Sequence, residues 1–350
     1  MQQQSLVKKI SLLLLLIIIS IVVFISGTIK DQKEQQIIAQ KAQQLNKEIK
    51  SKQLEQTIRN SLPDISCWGD GLTTGSDSDG PSYPEVLSQL THLNVHNMGV
   101  NREDSATIAT RQGGRQIIVD NITIPSTTTP VKIGTSNTLY NNANELIRPM
   151  IKGEAGINPV TLNGIEGTLS VDENSPTNYY FTRNTEGEAV DIQEPTPLLT
   201  VASKENKDDI TIIFIGQNGG YDSINTLINQ QKAMIEHLEH DKYLILGLTT
   251  GTKSERHELE SQLLDTYQDK FINLREYLST SGLEDANIEP TTDDLEDMKL
   301  GKVPSSLLVN NTIIGNHIYH ELIAKKIYDK IIELEYLDAQ QQQYLNLNLK

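Results

Sequence analysis

Cysteine is almost absent from this 350-residue chain, where Cys67 stands alone. No intramolecular disulfide can form, so a fold outside a membrane must rest on packing, and a zinc site of the multi-cysteine kind is excluded. Basic residues are in deficit as well: 30 lysines and arginines face 46 aspartates and glutamates, for a formal net charge of −16. That balance favours solubility and argues against nucleic acid, or an anionic membrane surface, as the main partner. Hydrophobic residues make up 37% of the chain, enough for one large core or two smaller ones.

One apolar run breaks the polar background, from Ile10 to Ile29. About 20 such residues span a bilayer as a helix. Lys8 and Lys9 precede the run, so the expectation is a cytoplasmic segment 1–9, a signal anchor at 10–29 and a single-pass protein whose bulk is extracytoplasmic. A cleaved signal peptide is the rival reading, for which Ser26-Gly27-Thr28 offers only a weak cleavage site.

Residues 30–60 are rich in Gln, Lys and Glu, with Ile38, Leu45, Ile49 and Ile58 at loosely helical spacing. The pattern predicts a helical stalk, either a solvated spacer or a surface for self-association with a broken heptad. Residues 339–350 form a polar tail. Between them, strand and helix signals alternate over 61–114 and 208–338, as in a parallel α/β sheet. The expected strands are Ile65 to Trp68, Val95 to Asn97, Ile210 to Ile215 and Tyr243 to Leu248; the expected helices include Ser223 to His240, Ser254 to Leu278 and Tyr319 to Leu337. Residues 115–207 break the rhythm with alternating runs and turn signals at Asn163-Gly164 and Thr185 to Glu188. They predict an inserted β-rich domain, serving either as bulk beside the cleft or as a grip on a polymer.

Four blocks carry chemistry by position. The first is Cys67-Trp68-Gly69-Asp70-Gly71-Leu72-Thr73, and the second runs from Val95-His96-Asn97-Met98-Gly99-Val100 to Ala109-Thr110-Arg111-Gln112-Gly113-Gly114. The third is Phe214-Ile215-Gly216-Gln217-Asn218-Gly219-Gly220, and the fourth leads from Val303-Pro304-Ser305-Ser306 through Gly315-Asn316 to Ala324. In this order they resemble the SGNH (GDSL) hydrolases of the secreted bacterial type. The resemblance implies a three-layer, flavodoxin-like α/β fold, hydrolysis or transfer of acyl esters, often on carbohydrate, and no metal or organic cofactor. It also implies a serine nucleophile, a histidine base, an aspartate that orients the histidine, and an oxyanion hole completed by a glycine N–H and an asparagine.

Carried over by position, the serine is Gly71, the histidine Ile314, the aspartate Asn311 and the oxyanion glycine Arg102, while Asn218 alone keeps its family identity. Glycine has no hydroxyl to attack an acyl carbon, and isoleucine accepts no proton. The expectation is therefore a degenerate site that binds or scaffolds at the cell envelope, possible ligand residues being Asp70, Arg102 and Asn218 and the ligand an acylated glycan. Asn218 would donate to a carbonyl, and Arg102 would either pair with an anionic group or stand as a surface cation. The alternative is an active esterase with a displaced relay drawn from Ser76, His317 and His320. The competing structural roles are that Thr73, Thr74 and Ser76 cap the following helix, that the two histidines share one helical face as surface or capping groups, and that Asp77 and Asp79 belong to a solvated loop rather than a calcium site.

Overall fold

The computed structural model describes residues 14, 16–20, 32–149, 156–172, 175–310 and 312–348. Most of the apolar run at 10–29 lies outside them, and among the described residues no helix is long and apolar enough to cross a membrane. The chain divides into two units, residues 1–62 with 339–350, and residues 63–338. The first contains helix α1 (Gln32–Ser61), with Leu45 and Leu54 exposed, and a short C-terminal helix, Ala339–Asn348, whose Gln341 donates its side-chain amide to Ser61 O at 2.7 Å. The tail is thus helical, where the polar composition alone suggested no element.

The second unit is built on a five-stranded parallel sheet. Strands β1 (Ile65–Gly69) and β2 (Val95–Gly99) come first in the chain and lie adjacent; β11 (Ile210–Phe214), β12 (Tyr243–Leu246) and β13 (Phe271–Ile272) complete the order β13-β12-β11-β1-β2. All five residues of β1 and of β11 are buried, as expected of central parallel strands covered on both faces, whose sequences read as continuous apolar runs. Successive residues alternate between faces. Trp68, Ile213 and Ile245 pack against α4 (Ser105–Gln112), α5 (Ile224–Glu236) and α6 (Lys253–Tyr267). On the other face, Phe214 meets the edge of Tyr83 from α3 (Tyr83–Thr91), which packs on α8 (His317–Glu333). The long helix expected over 254–278 is interrupted: α6 stops at Tyr267, and Phe271–Ile272 adds the edge strand β13 before helix resumes as α7 (Leu274–Tyr277). Two residues are too few to produce a strand period in sequence.

Residues 117–199 carry an antiparallel sheet of order β3-β10-β6-β7-β8-β5, formed by β3 (Ile117–Val119), β5 (Val131–Thr135), β6 (Val160–Leu162), β7 (Ile165–Asp172), β8 (Ser175–Arg183) and β10 (Thr196–Leu199), and the pair β4 (Ile122–Ile124) with β9 (Val190–Ile192). Asn163 and Gly164, at φ +49° and +77°, make the two-residue turn between β6 and β7. Helix α4 serves both cores. Its Ala106 lies in the apolar cluster of Ile117, Val119, Leu162 and Phe181, its Ile108 and Ala109 in that of Trp68 and Ile213, and all eight of its residues are buried.

The turn after β1 packs directly on β2. A Cβ at Gly99 would stand 2.6 Å from Thr74 N and 3.0 Å from Asp70 O, both backbone atoms that cannot step aside. We expect Gly99→Ala to destabilise the full chain by about 1–3 kcal/mol in urea unfolding, against about 1 kcal/mol for Gly164→Ala, where φ is positive but nothing lies within 4 Å. Equal urea midpoints for Gly99→Ala and the parent would contradict the close approach.

Candidate functional site

The C-terminal ends of parallel strands leave backbone and loops facing one edge, where such sheets bind ligands. Here β1 runs into Asp70 and a single helical turn, α2 (Gly71–Thr74). Asp70 holds that elbow twice: its carbonyl accepts from Thr73 N and Thr74 N at 3.0 Å, and its Oδ1 accepts from Leu72 N at 3.0 Å. Its other oxygen, Oδ2, accepts from Asn218 Nδ2 at 3.0 Å. Gly71 and Asn218, residues from two distant sequence blocks, are thereby linked through Asp70. Asn218 Nδ2 also donates to the carbonyl of Glu103 at 3.2 Å. Both partners accept, so the two amide hydrogens are both engaged. The sequence expectation of Asn218 as a donor to a ligand carbonyl does not match this arrangement.

A buried ion pair underlies the contact. Glu103 is 1% exposed and Arg111 2%; the guanidinium meets the carboxylate at 2.6, 3.0 and 3.2 Å, donates to Met98 O at 2.9 Å and lies over the Trp68 ring at 5.1 Å. Burial raises the Glu103 carboxyl above its usual range, and Arg111 opposes that rise. Arg111 belongs to the second block but was given no role there, and Glu103 was not picked out, because their partnership is formed by the loop that brings residue 103 back over α4.

The remaining loops are braced from the far side. Gln217 Nε2 donates to Thr249 Oγ1 at 3.1 Å and its Oε1 accepts from Thr250 Oγ1 at 2.9 Å, while Thr249 Oγ1 lies 2.9 Å from Tyr319 OH. The loop Gly216–Gly220 needs its glycines at residues 216, 219 and 220, where φ is +116°, +73° and +88°.

Gly71 carries no side chain, and its place is taken. A Cβ there would stand 2.8 Å from Asn101 Oδ1. The carboxamide of Asn101 thus lies over the elbow, and its Nδ2 faces Ser76 Oγ at 3.5 Å. The next residue, Arg102, is exposed and has φ +66°, a left-handed conformation that glycine adopts freely and arginine at a cost. Ile314 is half-buried in the turn that closes with Val309 N donating to Ile314 O at 2.8 Å, and Asn311 lies outside the described residues. The serines of the fourth block are spent on structure: Ser306 on Asp294 and Ser305 on Asp297.

The substitute candidates separate. His320 is 1% exposed; its Nδ1 accepts from Tyr83 N at 3.2 Å, and burial lowers its pKa to about 4, against the pull of Asp79 and Glu85, so it stays neutral at pH 7. His317, three residues earlier, is half-exposed and donates its backbone N–H to Asp79 Oδ1 at 2.7 Å, with its ring Nδ1 3.3 Å from the same oxygen. Sharing a helical face does not bring the two together, because α8 turns one toward α3 and the other toward the loop. Thr73, Thr74 and Ser76 do not cap the next helix. Thr73 is buried beside Tyr83 OH at 3.3 Å, Thr74 Oγ1 donates back to Gly71 O at 2.9 Å, and the cap of α3 is Ser82 with Glu85. All seven histidines are among the described residues, and no serine, threonine or cysteine side chain among those residues hydrogen-bonds a histidine ring. Cys67 is buried, and burial pushes its thiol up. The described residues hold no group of three or more His, Cys, Asp or Glu able to bind a metal.

No family model matches the sequence, and no curated protein does. The chain is similar to a solved structure of a candidate lipolytic protein of the G-D-S-L family from Desulfitobacterium hafniense DCB-2, at 13% identity over 77% of this chain and 99% of that one, with a TM-score of 0.37. A likeness this loose carries no argument about the site.

Asp70 leaves a signature in pH dependence. Burial, with a smaller push from Glu103, lifts its carboxyl from 3.8 to about 6 against the Leu72 N–H. An acid with a raised folded-state pKa binds more protons when folded, so its contribution to stability falls as pH rises from about 4 to 6 and is level above about 7. The stability of the parent minus that of Asp70→Asn, followed by urea unfolding, is expected to fall by on the order of 2–3 kcal/mol between pH 4 and 7. A difference independent of pH would show that Asp70 titrates normally.

Proposed function

We propose that this protein is a non-catalytic relative of the SGNH hydrolases, anchored by residues 10–29 in the cell membrane, which binds or scaffolds acylated glycan at the envelope. The observation that carries the reading is the elbow: glycine stands at the nucleophile's place, Asn101 lies over it, and among the described residues no hydroxyl or thiol is paired with a histidine. A hydrolase of this kind needs a nucleophile activated by an adjacent base. The polar group retained from the family, Asn218, is committed to Asp70 and the Glu103 carbonyl. Retention of Gly69, Asp70 and Leu72 is accounted for by turn geometry without catalysis.

A displaced relay is the second reading, and one observation favours it. Asp79 lies against the His317 ring at 3.3 Å, an acid beside a histidine as an orienting pair requires, and Ser76 occupies the same loop.

Fluorophosphonate labelling and turnover of short acetyl esters separate the two. Unmodified protein is expected to remain unlabelled and to match the blank, and Gly71→Ser alone to create no activity, because loss of a triad serine or histidine in another hydrolase costs about a million-fold and the groups act as a unit. Gly71→Ser, Arg102→Gly, Asn311→Asp and Ile314→His combined are expected to exceed any single change, with Asn101→Gly added to clear the serine's place. Turnover by unmodified protein that is lost on mutating Ser76, His317 or His320 would overturn the non-catalytic reading.

A further inference from the structure

At the Asn218 side chain the polarity is the reverse of that expected for an oxyanion hole. An acyl carbonyl, or the oxyanion formed from it, is held by hydrogen-bond donors. At Asn218 the donors are taken. The orientation of the carboxamide follows from its partners: a carboxylate oxygen at 3.0 Å and a backbone carbonyl oxygen at 3.2 Å both require the nitrogen. Reversing the amide would set Oδ1 against two acceptors and leave buried oxygens without partners. The side chain is exposed, and Oδ1 has no donor among the described residues; it is the atom left to face a ligand.

Asn101 adds to the same polarity. Its Oδ1 lies over Gly71 on an exposed side chain, so a molecule resting on the elbow meets a carbonyl oxygen there as well. Behind Asn218 stands the Asp70 carboxylate, 2% exposed, so that a donor on Oδ1 completes the series donor, Asn218 amide, Asp70. Hydrogen bonds in series polarise one another, and a low-dielectric setting strengthens them. Asp104, which caps α4, and Asp222, just before α5, add negative charge to the surrounding loops, whereas Glu103 is neutralised by Arg111; Arg102 supplies an opposing charge from an exposed arm.

Building on the non-catalytic reading, we propose that the elbow recognises a hydrogen-bond-donating cation on a glycan, the free ammonium of an amino sugar, through Asn218 Oδ1 and Asn101 Oδ1, and not the carbonyl of an acyl group. The chemistry selects the free-amine positions of a partly acylated glycan, so the acyl groups are not what the elbow reads. N-acetylation removes the charge and two of the three donors, so it abolishes the match.

The test is calorimetric titration of the full chain in detergent with a glucosamine tetramer and with its fully N-acetylated counterpart at pH 6.5, where a large fraction of the amine is charged. The expected result is saturable binding of the amine form alone. Binding weakens about tenfold or more in Asn218→Leu, as for loss of a hydrogen bond to a charged group. Asn101→Ala, an exposed substitution that leaves the Asp70 contacts in place, guards against misfolding in the first variant; it is expected to weaken binding several-fold with an unchanged melting temperature. Equal or tighter binding of the N-acetylated tetramer, binding of neither, or amine binding unaffected by both substitutions would overturn the proposal. Those outcomes leave the absence of hydrolysis untouched, which is judged by fluorophosphonate labelling.

Discussion

The buried pair of Glu103 and Arg111 is the contact on which the rest of the edge depends. Two charges taken out of water are tolerable only when each meets the other with its remaining hydrogen-bonding capacity satisfied, and removing one partner from such a pair costs about 3–5 kcal/mol. Arg111 meets that demand with the carboxylate, the Met98 carbonyl and the face of Trp68. Its position on α4 fixes the loop from Val100 to Asp104, and through the Glu103 carbonyl it fixes Asn218. Strands β1 and β2, the elbow and the loop after β11 are therefore referenced to one ion pair. Because α4 also contributes Ala106 to the core of the inserted sheet, the same pair ties the β-rich region to the edge.

The elbow is a matter of backbone geometry more than of side-chain chemistry. Asp70 caps its turn and Asn218 arrives from the loop after β11, while Gly71 offers only a surface on which Asn101 lies. Arg102, the residue after Asn101, shows this most plainly. It sits in a left-handed conformation that suits glycine, at the position where the family resemblance places one. The backbone takes a shape for which the arginine side chain has no conformational need.

Much of the parallel sheet was legible in the sequence because strands buried on both faces read as apolar runs, and Ile210 to Phe214 is the clearest of them. Phe271–Ile272 escaped because two residues have no period. Capping was misplaced by proximity: three hydroxyls follow the elbow, yet Ser82, with Glu85 three residues on, meets the requirement of a capping box. Spacing put His317 and His320 on one face, but spacing does not say which part of that face is buried. The polarity of Asn218 was beyond reach from residues alone. An amide presents whichever end its surroundings leave free, and those surroundings are Asp70, 148 positions away, and the carbonyl of Glu103, 115 positions away. The pairing of Glu103 with Arg111 was missed for a related reason, since nothing in an acidic and a basic residue eight positions apart announces burial.

The commitment of the Asn218 side chain to Asp70 can be observed directly by nuclear magnetic resonance of its carboxamide group in labelled protein. The expected result is slow solvent exchange of both amide hydrogens at pH 7, with shifts that follow the Asp70 carboxyl as it titrates near pH 6. Rapid exchange of either hydrogen, or shifts unmoved between pH 5 and 7, would mean that the donor is open to a ligand after all, and the inverted polarity of the elbow would be wrong.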